Sequence, residues 1–246
     1  MNQASQISFR FLFVLLFGLC LGQLSSPLSA QRPAKMDSLQ SLLRAATESE
    51  RQVDLLVEIG WAWWGTSADS AEWYCQKARA QAAATEYRLG MAKANHRLGI
   101  LVNDDGKYKE AIAFFREALQ HYAWLDRTDK VAGMLGNIGK SYRLMGDFGK
   151  ALEFHLRSIR QFETLGDREG QAIELVAVGA IYHVQHRYDK AIEYYRAALE
   201  ISDRSKHPMN TCSAYINLGD VFIFQDRLAE AAKNYQAGLE LARDIQ

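Results

Sequence analysis

The stretch LGILVNDDGKYKEAIAFFREAL, from Leu98 to Leu119, decides the fold because parts of it return along the chain. Gly99, Gly139, Gly179 and Gly219 stand 40 residues apart at every step, and Ala111, Ala151, Ala191 and Ala231 follow twelve positions behind them. A fixed period of this length marks stacked supersecondary units, each burying its apolar face on the next.

Aligned on the glycine, the copies read as helix pairs. The first helix of each pair carries Leu98-Gly99, Ile138-Gly139, Val178-Gly179 and Leu218-Gly219, with Val102, Tyr142, Tyr182 and Phe222 three residues on. The glycine admits a close neighbour and the larger residue fills the space beside it. A turn follows at Asp105-Gly106, Met145-Gly146, Gln185-His186 and Gln225-Asp226. The second helix then shows small or apolar residues at i, i+4 and i+7: Ala111, Phe115, Ala118; Ala151, His155, Ser158; Ala191, Tyr195, Ala198; Ala231, Tyr235, Gly238. That spacing lays them on one helical stripe.

Working outward, Leu55–Trp64 and Ser67–Ala82 form an earlier, slightly shorter unit, whose Gly60 precedes Gly99 by 39 residues. Trp63 falls in the core register of Tyr142. Trp61 and Trp64 are expected to pack on a lead-in helix over residues 37–47, the alternative being the open face of the array. Gln31–Lys35, with Pro33, reads as a short linker before that helix. Residues 1–30 have a polar start with Arg10, an apolar run from Phe11 to Gly22, and a small-residue end at Ala30. This is the pattern of a secretory leader, with cleavage expected after Ala30. Its apolar run falls short of the about 20 residues that span a bilayer, so no stable membrane span is expected in the mature chain. A retained N-terminal anchor and lipidation at Cys20 are the alternatives. The pattern places the protein outside the cytoplasm, periplasmic or extracellular, in a bacterium.

The division expected is therefore a leader (1–30), a linker with lead-in helix (31–52), and an array of about five units over 53–91, 92–131, 132–171, 172–211 and 212–246. Formal net charge is zero, which argues against nucleic acid or an anionic membrane as partner. Cys75 and Cys212 lie in units far apart in such a stack and read as buried thiols rather than a disulfide.

The order of Leu-Gly, aromatic, Gly, Ala, aromatic and Ala resembles the tetratricopeptide repeat over about residues 53–246. The period is six residues longer than the about 34 of the common form, and is similar to the extended variant of kinesin light chains and of bacterial MalT-like and Rap-like regulators. The resemblance implies an all-α solenoid of antiparallel helix pairs wound into a right-handed superhelix. It also implies that the first helix of each pair lines a concave groove. The places concerned are six, three and two before the glycine, and one, four and five after it. In the second unit these include Lys93, His96, Arg97, Asn103 and Asp104; in the third, Asn137, Lys140, Arg143 and Leu144; in the fifth, Asn217 and Asp220. Lys93, Arg97, Lys140 and Arg143 would form a cationic stretch, with Asn137 and Asn217 placed to hold a peptide backbone. The fourth unit is apolar at the same places, with Ile173, Val176, Ala177, Ala180 and Val184, and Ile216, Ile223 and Phe224 continue the trend. A ligand with an acidic end and an apolar end fits that gradient.

Reactive chemistry is sparse. His183 and His186 have no third ligand at helical spacing for zinc, Asn103-Asp104-Asp105-Gly106 reads as a turn rather than a calcium loop, and no nucleophile elbow or phosphate loop occurs. No cofactor or metal is expected, and the reading is non-catalytic: a scaffold binding a peptide or helix of a protein partner. The alternative is the extracytoplasmic sensory part of a bacterial signal-transduction protein, a histidine kinase or transcriptional regulator. Tyr235, Leu239, Ala242 and Ile245 lack a following helix to pack on, so the expectation is that the chain belongs to a longer protein or that a partner or a second copy covers that end, self-association being one of these.

Overall fold

Seven turns of the computed structural model close in the same way, and the repetition of that closure sets the architecture. The structure describes residues 25–202 and 208–243. Eleven helices follow one another among the described residues: α1 (Ser25–Ala45), α2 (Ser49–Trp63), α3 (Ala68–Ala84), α4 (Arg88–Asp104), α5 (Tyr108–Trp124), α6 (Thr128–Leu144), α7 (Phe148–Leu165), α8 (Arg168–Val184), α9 (Tyr188–Ile201), α10 (Pro208–Phe224) and α11 (Leu228–Arg243). At the turns a residue with positive φ stops the helix: Gly106, Gly146, His186 and Asp226 recur at one place in the repeat, Glu86, Asp126 and Gly166 at the other. The next N–H then reaches back five residues, Lys107 to Val102, Asp147 to Tyr142, Arg187 to Tyr182 and Arg227 to Phe222, at 2.9–3.0 Å. This is the Schellman closure, which satisfies carbonyls the helix end leaves orphaned. Asp147 and Asp167 cap the helices that follow, accepting from Lys150 and Gly170 N–H at 3.1 and 2.9 Å.

Within a pair, the ring on the second helix seats on the glycine of the first. A methyl group added at Gly99 would meet Phe115 at 2.5 Å, at Gly179 Tyr195 at 2.6 Å, at Gly219 Tyr235 at 2.5 Å, and at Gly139 His155 at 2.9 Å. In the first unit the sulfur of Cys75 fills the corresponding seat over Gly60. Ala111, Ala118, Ala151, Ala191 and Ala198 flank the rings at 0–1% exposure, so the expected stripe is the core. Cys75 and Cys212 are buried free thiols.

Successive first helices approach backbone to backbone, α2 with α4, α6 with α8, α8 with α10. Successive second helices are bridged by longer side chains, as where Arg79 on α3 reaches Glu117 on α5 at 2.9 Å. The stack therefore curves as a right-handed superhelix with α2, α4, α6, α8 and α10 on its concave side.

One local expectation is corrected. The helix before the array is continuous from Ser25 to Ala45, running through the proposed linker and Pro33; one missing i→i−4 bond does not end a helix whose neighbouring turns stay bonded. Of the segment read as a leader, residues 1–24 lie outside the described residues, as does Ile245. No described helix is long and apolar enough to cross a membrane.

Candidate functional site

The concave face begins at the N-terminal end with aromatic rings. Trp63 joins the core that Leu39 and Leu43 of α1 share with α2. Trp61 and Trp64, expected on α1, instead stack on each other at 4.3 Å and face the next unit. The Arg97 guanidinium lies 3.8 Å over Trp61, and Trp64 Nε1–H donates to Asp104 Oδ2 at 3.1 Å. The reason is chemical: α4 offers Trp61 a guanidinium and Trp64 a carboxylate acceptor for its indole N–H.

Along α4 and α6 the predicted residues divide into those already engaged and those left open. Lys93 Nζ is 2.8 Å from Asp54 Oδ1, an ion pair with α2. Asn103 is 5% exposed and accepts from Ser141 Oγ–H at 2.7 Å, so it is a strut between α4 and α6 rather than an open contact. His96 stands behind Asn137, its Nε2 3.3 Å from Asn137 Nδ2. Burial, with the Arg97 and Lys130 charges, holds His96 down to a pKa of about 4; it is neutral at physiological pH, and the asparagine N–H donates to it. Arg97 is half-buried and its pKa is lowered, chiefly by desolvation. Lys140 is exposed and Arg143 half-buried. Among the described residues, no carboxylate lies within ion-pair reach of Arg97, Lys140 or Arg143.

Further along, Ile173 and Val184 on α8 are 45% and 54% exposed and Phe224 on α10 is 46% exposed. Phe224 stacks on Tyr188 at 5.9 Å and meets His183 at 5.3 Å. Asp220, on α10, accepts from Tyr235 Oη–H at 2.6 Å, and Asn217 is half-buried one turn before it. The arrangement brings Arg97, Asn137, Lys140 and Arg143 onto one face beside an apolar stretch. It removes Lys93 and Asn103 into internal contacts. The Trp61–Trp64 platform carries more than sequence position indicated; the signal was their place two residues before and one after Trp63, which turns them away from the core-facing register.

With the geometry in place, comparisons with known proteins define its class. Tetratricopeptide repeat models match residues 92–120 and, in two overlapping copies, 130–204 and 171–244. Together these span more than half of the chain, which belongs to the tetratricopeptide repeat family. A search of curated protein sequences returns no match. Among solved structures, the chain is similar to BtubC (BKLC) from P. vanneervenii, at 18% identity and TM-score 0.72, with 90% of this chain and 93% of that one covered. It is similar to the quorum sensor NprR from B. thuringiensis in its apo form, at 18% identity and TM-score 0.71, covering 94% of this chain and 64% of NprR. NprR in complex with its cognate peptide NprX aligns at TM-score 0.65 and 18% identity, over 85% and 60% of the two chains. A Podospora anserina protein described as a kinesin light chain with nearly identical TPR-like repeats matches at 14% identity and TM-score 0.64, over 82% and 99% of the two chains.

Proposed function

We propose that this array is a non-catalytic binding module that holds a peptide or helix of a protein partner in its concave groove, acidic end over Arg97, Lys140 and Arg143, apolar end over Ile173, Val176 and Val184. The observation that carries the reading is the trio of cations that have no carboxylate partner among the described residues. A half-buried guanidinium pays desolvation that a counter-charge offsets, and Lys93, in the same helix as Arg97, already has its counter-charge in Asp54. Burial and surrounding positive charge both keep His96 neutral, which is the electrostatic imprint of a cationic face. The stack is pre-formed, so little ordering cost falls on the scaffold when a ligand binds. The test is capture of partners from the native envelope by wild type and by Lys140→Glu/Arg143→Glu at equal helicity. Loss of capture supports the reading, and unchanged capture overturns it.

The second reading, a sensory module of a signalling protein, is favoured by the likeness to NprR, a quorum sensor also solved with a peptide bound. The leader pattern of residues 1–30 supports placement outside the cytoplasm for either reading; fractionation and N-terminal sequencing of the mature chain test it, and a mature N-terminus at Met1 in the cytoplasmic fraction refutes it.

A further inference from the structure

The last residues of α6, α8 and α10 are Leu144, Val184 and Phe224, which stand 40 residues apart at each step and five after Gly139, Gly179 and Gly219. All three are apolar and open to solvent, at 39%, 54% and 46% exposure. Single exposed apolar side chains are ordinary on a protein surface, but the repeat sets these three in one row along the rim of the concave face. The row is continuous. Successive first helices bring α-carbons within 8 Å of one another from α6 to α8 and from α8 to α10, and the Phe224 ring crosses to 5.3 Å from the ring of His183, the residue before Val184. It stops at the second unit, where Asp104 ends α4 and accepts the Trp64 indole N–H.

The spacing of these rungs selects the conformation of a chain laid across them. Packed helices stand about 8–10 Å apart, and the inner side of a curved stack lies at the short end of that range. A polyproline II strand returns every third side chain to one face after about 9.3 Å, one per rung. A β-strand returns a side chain after about 6.8 Å, between rungs. An α-helix needs seven residues and about 10.5 Å, and runs ahead of the row. Polyproline II also keeps its own backbone solvated, which suits a rim whose carbonyls at Tyr142, Tyr182 and Phe222 are already taken by the N–H groups of Asp147, Arg187 and Arg227.

Charge distinguishes the two ends. One helical turn before each rung, on the same face of its helix, stand Lys140, Ala180 and Asp220. Lys140 is exposed and has no carboxylate partner among the described residues, whereas Asp220 presents a carboxylate that accepts from Tyr235. An acidic ligand residue is therefore favoured at the α6 end and opposed at the α10 end. Resting on the groove-binding reading above, we propose that Leu144, Val184 and Phe224 form a rail for a polyproline II segment of the partner, with a large apolar residue at every third position and one acidic residue at the Leu144 end.

The test titrates the protein with four synthetic peptides, followed by fluorescence anisotropy. The first carries leucine at every third position among prolines, with one glutamate at an end; the second has glutamine in place of that glutamate. The third alternates leucine with threonine, and the fourth is an alanine-rich helix former with leucines seven apart. The first is expected to bind about tenfold or more tighter than the third and fourth, and about threefold tighter than the second. Leu144→Gln/Val184→Gln changes only exposed positions, so helicity should hold while the first peptide weakens about tenfold or more. Leu165→Gln/Leu239→Gln, at exposed apolar positions outside the row, should leave binding within about twofold. The rail is overturned if the first peptide does not bind, if the third or fourth binds as tightly, or if Leu144→Gln/Val184→Gln binds as wild type does. Capture by Lys140→Glu/Arg143→Glu decides the groove reading separately: lost capture alongside any of those results keeps the groove and removes the rail.

Discussion

Replacing His155 by phenylalanine tests a buried polar contact against the apolar packing of the other units. His155 occupies the seat that holds Cys75, Phe115, Tyr195 and Tyr235 elsewhere, and its Nδ1 lies 2.6 Å from Glu174 Oε2. Glu174 stands where the other units place Leu55, Ala94, Met134 and Ala214, all at 0–1% exposure. Two departures from the repeat thus meet each other, at 2% and 7% exposure, and link α7 to α8. His155→Phe leaves Glu174 buried beside Gly136 without its imidazole, and a buried polar group left without its partner costs about 1–3 kcal/mol. Glu174→Met, matching the third unit, orphans the imidazole whose Nε2 already has no partner, at about 1–3 kcal/mol. The double variant carries a ring and an aliphatic side chain as neighbouring units do, and replacing both partners of a buried polar contact by apolar groups of similar shape is nearly neutral. Urea unfolding followed by far-UV circular dichroism, with all four variants at one pH, gives the cycle. Coupling of about 1–3 kcal/mol is expected. A double variant as unstable as the two singles summed refutes the account of a mutually compensating pair.

Acid should destabilise the array through His96. Its folded pKa, held down to about 4 by burial and by Arg97 and Lys130, lies below the ordinary 6.5, so above pH 6.5 neither state binds the proton. As pH falls from 6.5 towards 4 the unfolded chain protonates first, and about 3 kcal/mol of stability should be lost; His96→Leu should flatten that part of the stability curve, and an unchanged slope contradicts the assignment. Gly139→Ala and Gly146→Ala should each cost stability for different reasons. The first drives a methyl to 2.9 Å from the His155 ring, an overpacking cost of about 1–3 kcal/mol that His155→Ala should relieve. The second meets nothing within 4 Å but forces an L side chain to φ 80°, about 1–2 kcal/mol, and His155→Ala should not relieve it; equal relief of both would show the two costs share one origin.

The helix pairs were legible because their causes are local. The ring at i+4 from the small residue and the glycine one turn before the core aromatic are set within one unit, and the period repeats them until chance is excluded. The groove positions followed from the same register. What the register did not carry is who meets whom across units. Lys93 with Asp54, Asn103 with Ser141, and Arg97 with Trp61 are partners 36–39 residues apart, and their meeting depends on how far one first helix slides along the next. The tyrosine hydroxyls illustrate the limit further. Tyr195 and Tyr235 are identical in the stripe, and only the residues after Gly179 and Gly219, Ala180 and Asp220, read together with the ring pose, separate an orphan hydroxyl from a satisfied one.

The recurring turns imply that units could be spliced: joining Asp126 to Asp167 removes one whole period, and each side keeps its Schellman closure and its helix start. The His155–Glu174 contact changes that arithmetic. Such a splice would set Glu174 against the apolar seat of Phe115, so the pair acts as a key and notch between the third and fourth units. Geometry alone would let the units trade places, and this joint gives them an order.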